Sequence, residues 1–423
     1  MTKGVERETG RETGKAPMLD RRDERVRHAD GIAGTIRGFW DRVRSGDLGA
    51  LPVVVGLAII CVVFQTLNPV FLAPNNLVNL LFDCSTTGVI ALGIVCILII
   101  GEIDLSVGSV SGLASALVGV MWVNQDWPVV IAILAALVFG AAIGALYALM
   151  LNRFGMPSFV STLAGLLSVL GLQLYLLGST GSINLPYDSP LVDFGQTLVM
   201  PDPIAYLLAA VPGIVLFGLG FRTAARRRQA GLSSQALGSL ILRAGLVTII
   251  LEFIVYYLNL DRGIPWMFGL FVGLVAAMNY ALTRTKWGRS MTAVGGNREA
   301  ARRAGINVRF IYTTAFMLCS ALAATGGILG AARLASASQQ AGAGDVNLNA
   351  IAAAVIGGTS LFGGRGNAYS ALLGIIVIQA IASGLTLLDL SSSLRYMITG
   401  AVLAIAVIVD SLARRSRVSH GRA

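Results

Sequence analysis

The stretch RTKWGRSMTAVGGNREAARRAGINVR, residues 284–309, is a charged segment between two apolar runs, and this pattern is the basis of the fold prediction. It contains seven of the 32 lysine and arginine residues and a single acid, Glu299. About 20 nearly charge-free residues flank it on each side, which is the length that a helix needs to cross a bilayer. Because cytoplasmic loops of membrane proteins are rich in lysine and arginine, we predict such a loop here.

A short helix is predicted inside this loop. Asn297 is a favourable N-cap, and Gly305 is placed to end the helix about two turns later. Small side chains allow a partner to approach closely, and the arginines supply contacts to acidic or carbonyl groups. The alternative is a solvated charged loop that only satisfies the positive-inside bias. The predicted docking residues are Gly295, Gly296, Asn297, Arg298, Glu299, Ala300, Ala301, Arg302 and Gly305.

The composition is that of a polytopic α-helical membrane protein. Hydrophobic residues make up 55% of the chain and charged residues only 13%, about half of the share in soluble domains. The net charge of +10 does not indicate a nucleic-acid partner, because 26 of the 32 basic residues cluster at predicted membrane edges of one side. These clusters lie before residue 48, at 222–228, in the central loop and from Arg414 onward.

About twelve spans are predicted, within a range of roughly 10 to 14, with both termini cytoplasmic. The run at 349–362 is short enough for a re-entrant half-helix. Residues 1–47 are predicted to be a cytoplasmic tail, disordered at first and then an interfacial helix or a plain linker over 31–44. Residues 48–413 form the transmembrane domain, and 414–423 a second cytoplasmic tail. The predicted spans are 50–67, 84–101, 105–123, 129–151, 158–178, 203–221, 236–258, 264–283, 310–331, 349–362, 367–388 and 394–411.

Residues 71–81, FLAPNNLVNLL, contain the helix-start signals Pro74 and Asn75. They are consistent with a short helix on the outer membrane face or with a simple connector between spans.

Two glycine-interrupted stretches are candidates for a translocation path. They are GEIDLSVGS, residues 101–109, and AVIGGTSLFGGRGN, residues 354–367. Such breaks expose backbone groups to a cavity, and acids at membrane depth are usually functional. The alternative for both is a tight cytoplasmic turn between spans. The candidate residues are Glu102, Asp104, Ser106, Gly108, Gly357, Gly358 and Thr359.

No enzyme active site, metal site or cofactor site is predicted. The chain has no GxxxxGK[ST] motif, so it is not expected to bind ATP itself. Its two histidines, His28 and His420, lie in polar tails. Its four cysteines are isolated in apolar runs, where they are expected to be small buried hydrophobes.

The segment GRSMTAVGGNREAARRAGI resembles the coupling loop of permeases from bacterial ATP-binding-cassette importers, specifically the ribose, xylose and arabinose group. Both glycine-interrupted stretches are similar to motifs of this group, as are residues 150–166 and 396–412. The length of 182–264 is closer to the layout of xylose permeases. In many members of the group glycine stands in place of Glu102, and a residue other than arginine stands in place of Arg298.

The resemblance implies an all-α polytopic bundle with broken helices in the bacterial cytoplasmic membrane. Two permease copies would form a homodimer among membrane lipids, and the coupling loop would dock on a separate ATPase that holds ATP and Mg²⁺. An extracytoplasmic sugar-binding protein would deliver a monosaccharide, with D-xylose or another pentose expected. Two readings compete: an ion-coupled secondary sugar transporter that uses Glu102, Asp104 and Glu252, and a membrane scaffold without transport.

Overall fold

The computed structural model describes residues 51–230 and 237–391, together with 393–394, 396–401, 404 and 408. These residues divide into two compact units, a larger one with the described residues up to Ala205 and from Val255 onward, and a smaller one with the described residues of Tyr206–Ile254. The predicted tails at 1–47 and 414–423 lie outside the described residues, and so do half of the residues of the predicted span at 394–411.

The described residues form fourteen α-helices and two short strands. The first helices are α1 (Leu51–Leu67), α2 (Pro74–Ile99), α3 (Val107–Gly119), α4 (Val129–Phe154), α5 (Ser158–Leu177), α6 (Pro190–Gln196) and α7 (Asp202–Gln229). The others are α8 (Leu237–Leu258), α9 (Trp266–Arg284), α10 (Lys286–Gly296), α11 (Arg298–Arg303), α12 (Val308–Leu334), α13 (Val346–Ile356) and α14 (Tyr369–Leu387). Strands β1 (Ser182–Asn184) and β2 (Ser336–Ser338) pair antiparallel, which the sequence did not indicate.

Nine helices in the described part of the chain are long and apolar enough to cross a membrane. They are α2, α3 with the π-helical turn that extends it to Asn124, α4, α5, α7, α8, α9, α12 and α14. Each corresponds to one of the predicted spans, so the all-α membrane fold class is confirmed for these residues. Helix α1 has 17 residues, and α13, with 11 residues, lies where the short run at 349–362 was predicted.

Helix α2 shows how the start signals act. Pro74 stands at its beginning, where the missing N–H group costs nothing, and the helix then continues for 26 residues. No glycine or proline interrupts residues 75–87, so the chain has no reason to leave the helix. The interpretation of residues 71–81 as a separate short surface helix is therefore wrong, and the span begins ten residues before the predicted position 84.

The core of the larger unit surrounds α2 and α12. Over an apolar stretch of 18 residues, α2 is 83% buried and α12 is 72% buried, whereas the corresponding stretches of α4 and α5 are only 28% and 33% buried. Glycines permit the close packing: a Cβ atom on Gly144 of α4 would overlap the Phe316 carbonyl of α12. Small residues at helix contacts are typical of membrane proteins. The exposed apolar faces of α4 and α5 are those expected to contact lipid.

The smaller unit contains most of α7 and α8. These two helices pack closely, because a Cβ atom on Gly213 would overlap the Thr248 hydroxyl. Three arginines lie in the last turn of α7. Glu252 belongs to this unit, whereas Glu102 and Asp104 belong to the larger one.

Candidate functional site

Helix α11 lies where the docking helix was predicted, and its ends are the predicted ones. The Asn297 side chain accepts a hydrogen bond from the backbone N–H of Ala300 at 2.9 Å, which is an N-cap. Gly305 has a φ of +81°, the left-handed conformation that glycine adopts after a helix. We call α11 with its flanking residues Gly295 to Gly305 the coupling helix.

The coupling helix buries one side and exposes its charges. Ala301 is buried in the hydrophobic core of the larger unit. Glu299 pairs with Arg302 at 2.9 Å and with Arg303 at 3.4 Å, and both arginine side chains are more than two-thirds exposed. Arg298 instead places its guanidinium 5.1 Å from the centre of the Tyr312 ring on α12. The exposed side therefore presents the arginines Arg302 and Arg303 at the protein surface.

Helix α10, which sequence reasoning missed, connects the coupling helix to the spans. It begins at an N-cap in which the Thr285 side chain accepts from the Gly288 N–H group. Met291 and Val294 are buried. The Trp287 indole N–H donates to the Thr314 hydroxyl of α12 at 2.8 Å. These contacts attach the coupling helix to α12 through packed side chains rather than through a loose loop.

Four glycines bring the coupling helix against both glycine-interrupted stretches. We call them the glycine junction: Gly101, Gly295, Gly363 and Gly364. A Cβ atom on Gly295 would overlap the carbonyl oxygen of Ile99, and a Cβ atom on Gly363 would lie 2.7 Å from the Gly295 carbonyl oxygen and 2.8 Å from the Gly101 Cα. The Gly364 N–H group donates to the Ile99 carbonyl at 2.9 Å. The backbones at residues 99–101, at Gly295 and at residues 363–364 are therefore in direct contact.

Glycine is required at the junction for two reasons. The φ angles are +80° at Gly101, +79° at Gly363 and +73° at Gly364, a region that other residues rarely adopt. A side chain on Gly295 or Gly363 would also force the backbones apart. Gly296, one residue beyond Gly295, differs from them: among the described residues no atom lies within 4 Å of the position that its Cβ would take.

The first glycine-interrupted stretch leaves the junction as an extended segment. Its backbone N–H groups at Ile103 and Leu105 donate to Ser158 Oγ at 3.4 Å and Thr162 Oγ1 at 3.2 Å on α5. Because these side chains satisfy the backbone, the chain can remain extended inside the protein. Glu102 is half-buried at its start.

Asp104 lies at the end of this segment and is 1% exposed. Its Oδ1 accepts hydrogen bonds from the backbone N–H of Ser106 at 2.8 Å and from the Ser106 hydroxyl at 2.7 Å. Burial raises the pKa of the Asp104 carboxyl above its ordinary value, and the hydrogen bonds from Ser106 offset only part of this rise. Within the described residues Oδ2 makes no hydrogen bond of ordinary geometry. Asp104 therefore fixes the turn into α3.

The start of α3 meets the start of α13. The Gly108 N–H group donates to Asn347 Oδ1, and a Cβ atom on Gly108 would overlap the Gly342 carbonyl. Gln173 of α5, which is fully buried, donates to the carbonyls of Ser338 and Ala341 at 3.0 Å each. The turns before α13 are thus held by Gln173 of α5 and by close contact with Gly108 of α3.

The second predicted set, Gly357, Gly358 and Thr359, is not brought to Asp104. A Cβ atom on Gly357 would overlap the Ser370 carbonyl at the start of α14, so this glycine serves helix packing. Gly358 has a φ of +105° and open space around it. Thr359 is buried at 1% exposure beside Gly366. The contact between the two stretches is made by Gly101 and Gly363 instead.

Sequence reasoning missed Tyr312, Gln173 and Asn347 as well as the partners of the glycines. Gln173 offered a signal, because a lone amide in the apolar run SFVSTLAGLLSVLGLQLYLL must find a partner when buried. Tyr312 offered none, because a tyrosine near a span end is ordinary in a membrane protein.

Comparison with known proteins identifies the family. Residues 76–407 match a family described as branched-chain amino acid transport system / permease component. The chain is 33% identical to the xylose transport system permease protein of Escherichia coli over 380 residues, 89% of this chain and 95% of that protein. It is 33% identical to the Haemophilus influenzae protein of the same name, covering 88% and 98% of the two chains.

The ribose import permease protein of Escherichia coli is 30% identical over 362 residues, 85% of this chain and 92% of that protein. No solved structure matches the chain significantly. The matches run through the coupling helix, the glycine junction and the membrane helices that surround them. The chain therefore belongs to this family of transport-system permeases, the membrane subunits of ATP-binding-cassette transporters.

Proposed function

We propose that the chain is the membrane-spanning subunit of an importer that moves a monosaccharide, D-xylose or another pentose, into the cytoplasm. ATP hydrolysis in a separate subunit drives the movement. The observation that supports this proposal best is the glycine junction, because it joins a docking helix to both interrupted segments. The names of the relatives, xylose and ribose permeases, support the choice of a pentose.

In this proposal the coupling helix moves with the ATPase. Its contacts with α12 through Trp287 and Tyr312 turn that displacement into a tilt of α12. The junction passes the same displacement to Gly101 and Gly363, so both glycine-interrupted stretches shift together. A sugar-binding protein on the outer side supplies the sugar, and a second permease copy completes the pore.

The path for the sugar follows the two interrupted helices. The starts of α3 and α13 lie side by side at Gly108 and Asn347, within the protein interior. Interrupted helices with their ends at a central cavity are a common way to line a transport path. The proposal keeps both chain termini and the coupling helix on the cytoplasmic side, which the clustering of basic residues supports.

The test is uptake of labelled xylose by cells that make the chain with its cognate ATPase and binding protein. ATP depletion and collapse of the membrane potential are applied separately. Loss of uptake only on ATP depletion is the expected result. Loss only on collapse of the ion gradient would replace the proposal by ion-coupled transport through the acids Glu102, Asp104 and Glu252.

A second test concerns the coupling helix. Glu299→Arg places a third positive charge beside Arg302 and Arg303, and Gly305→Trp forces a bulky residue into a φ of +81°. Both variants are expected to abolish uptake while the chain still reaches the membrane. Full uptake by both variants would refute the docking role.

A further inference from the structure

A pocket of about 370 Å³ opens beside the coupling helix, between α11 and the beginning of α12. Three arginines line it, Arg298 and Arg302 on α11 and Arg309 on α12. No aspartate or glutamate lines the pocket. Its other lining residues are Asn152, Ile306, Asn307 and Val308. We call this the arginine pocket.

The walls of the arginine pocket are fixed before any partner arrives. The Asn152 amide of α4 donates to the Arg309 carbonyl at 3.2 Å and to the Thr313 hydroxyl at 3.2 Å. The Asn307 side chain accepts from the Phe310 N–H group at 3.1 Å and caps α12. Arg298 lies over the Tyr312 ring, which restricts its side chain. The cost of ordering these groups on binding is therefore already reduced.

The charge of the pocket selects its occupant. Glu299, the only acid in residues 284–309, is not among the lining residues, although it pairs with Arg302, which lines the pocket, and with Arg303, which does not. The positive end of the 27-residue helix α12 adds to the three arginine charges. Arginine holds a carboxylate with two parallel hydrogen bonds, so an anion with two oxygens in one plane fits this lining.

We propose that the arginine pocket receives an aspartate or glutamate side chain of the ATPase subunit when the coupling helix docks. This inference rests on the proposed function, because it names the partner group for the docking helix described there. A protein carboxylate is favoured over a lipid phosphate because two of the three arginines lie on α11 itself. An acid of the docked subunit enters the pocket together with the surface that covers α11.

Arg302 and Arg303 provide a matched pair for the test. Both lie on α11, both are exposed, and both pair with Glu299, but only Arg302 lines the pocket. The tagged permease is co-produced with its ATPase, and retention of the ATPase is measured in detergent at rising NaCl concentration. Arg302→Gln is expected to weaken retention by roughly 30-fold or more, the usual loss when a desolvated charge pair is broken. Arg303→Gln should change it by less than about 5-fold, as for exposed pairs.

Cross-linking identifies the occupant. A carbodiimide joins a lysine amine to a nearby carboxylate, and the natural chain has only three lysines, of which Lys286 alone lies in the loop. Arg302→Lys is expected to yield a new permease–ATPase cross-link that Arg303→Lys and the natural chain do not yield. Mass spectrometry of the linked peptide then names the acid.

Three results would overturn the inference. Equal retention of the ATPase by the two glutamine variants would show that the pocket takes no part in docking. Equal cross-linking by the two lysine variants would show that no acid occupies it. Loss of co-purified anionic lipid from Arg302→Gln, with unchanged ATPase retention, would assign the pocket to a headgroup. If the natural chain retains no ATPase at all, the proposed function itself fails, which is a separate result.

Discussion

Adding one methyl group to Gly295 should damage the protein, whereas adding it to Gly296 should not. Both glycines lie at the end of α10, and neither has a positive φ. Alanine suits a helix better than glycine by about 0.5–1 kcal/mol, so this contribution is favourable at both positions. The two positions differ in the space that is available for a Cβ atom. A Cβ atom on Gly295 overlaps the Ile99 carbonyl oxygen, while a Cβ atom on Gly296 meets no described atom within 4 Å.

The expected loss at Gly295 follows from its neighbours. Overpacking of a tight contact costs about 1–3 kcal/mol, since the obstacle is backbone and cannot rotate away. Movement of the Ile99 carbonyl also weakens its 2.9 Å hydrogen bond from Gly364, a further loss of about 0.5–1.5 kcal/mol. After subtraction of the helix gain, Gly295→Ala should destabilise the protein by about 1–3 kcal/mol. Gly296→Ala should be neutral or slightly stabilising.

Thermal unfolding of the detergent-purified variants measures the difference. Gly295→Ala is expected to lower the apparent melting temperature by about 2–6 °C relative to Gly296→Ala. The same variants are then compared for sugar uptake per mole of ATP hydrolysed, because a distorted junction should separate hydrolysis from transport. Equal melting temperatures and equal uptake for the two variants would refute the proposed role of the junction, and so would a larger loss at Gly296.

Three further predictions concern polar groups inside the protein. Asp104→Asn keeps an acceptor for the Ser106 hydrogen bonds and should retain uptake at pH 7. Asp104→Ala removes that acceptor and should lower the stability measured in thermal unfolding by about 1–3 kcal/mol. Loss of uptake in the asparagine variant would instead support ion coupling. Arg333→Leu leaves Asp83, whose carboxylate lies 2.9 Å from the guanidinium, without a counter-charge and should lower stability by about 1–2 kcal/mol. The loss is smaller than for a fully buried pair because the Asp83 side chain is 48% exposed. Arg333→Lys should recover part of the loss in melting temperature. Gln173→Leu removes the donor for two carbonyl oxygens and should lower stability by about 1–3 kcal/mol, while a change of less than about 0.5 kcal/mol would show that water replaces the amide.

The sequence predicted the elements of this fold that depend on local physics. Apolar runs of sufficient length became helices, and the N-cap residue Asn297 and the stop residue Gly305 acted at the predicted positions. The error at residues 71–81 has the same origin, because Pro74 was read correctly as a start signal but not the uninterrupted helix behind it. Helix α10 was missed since its polar surface resembles that of a solvated loop.

The site could be predicted only as separate pieces. The glycines at 101, 295 and 363 were recognised as breaks in three distant parts of the chain, and nothing in their local sequence states that they touch. The same limit applied to Gln173 and Asn347, whose carbonyl and amide partners lie far away in the chain. Periodicity and composition describe one helix at a time, whereas contacts between backbones depend on how the helices pack.

The absence of side chains at the junction has a mechanical consequence. If the coupling helix touched the interrupted segments through flexible side chains, rotamer changes would absorb a displacement of about 1 Å at small energetic cost. Contact between backbones offers no such compliance, because overlap with a carbonyl oxygen is relieved only when the whole segment moves. The direct contacts of Gly363 with Gly101 and Gly295 therefore require the three segments to shift as one unit. A subunit that converts the closure of a partner into an opening of its own path needs this rigidity at the point of contact.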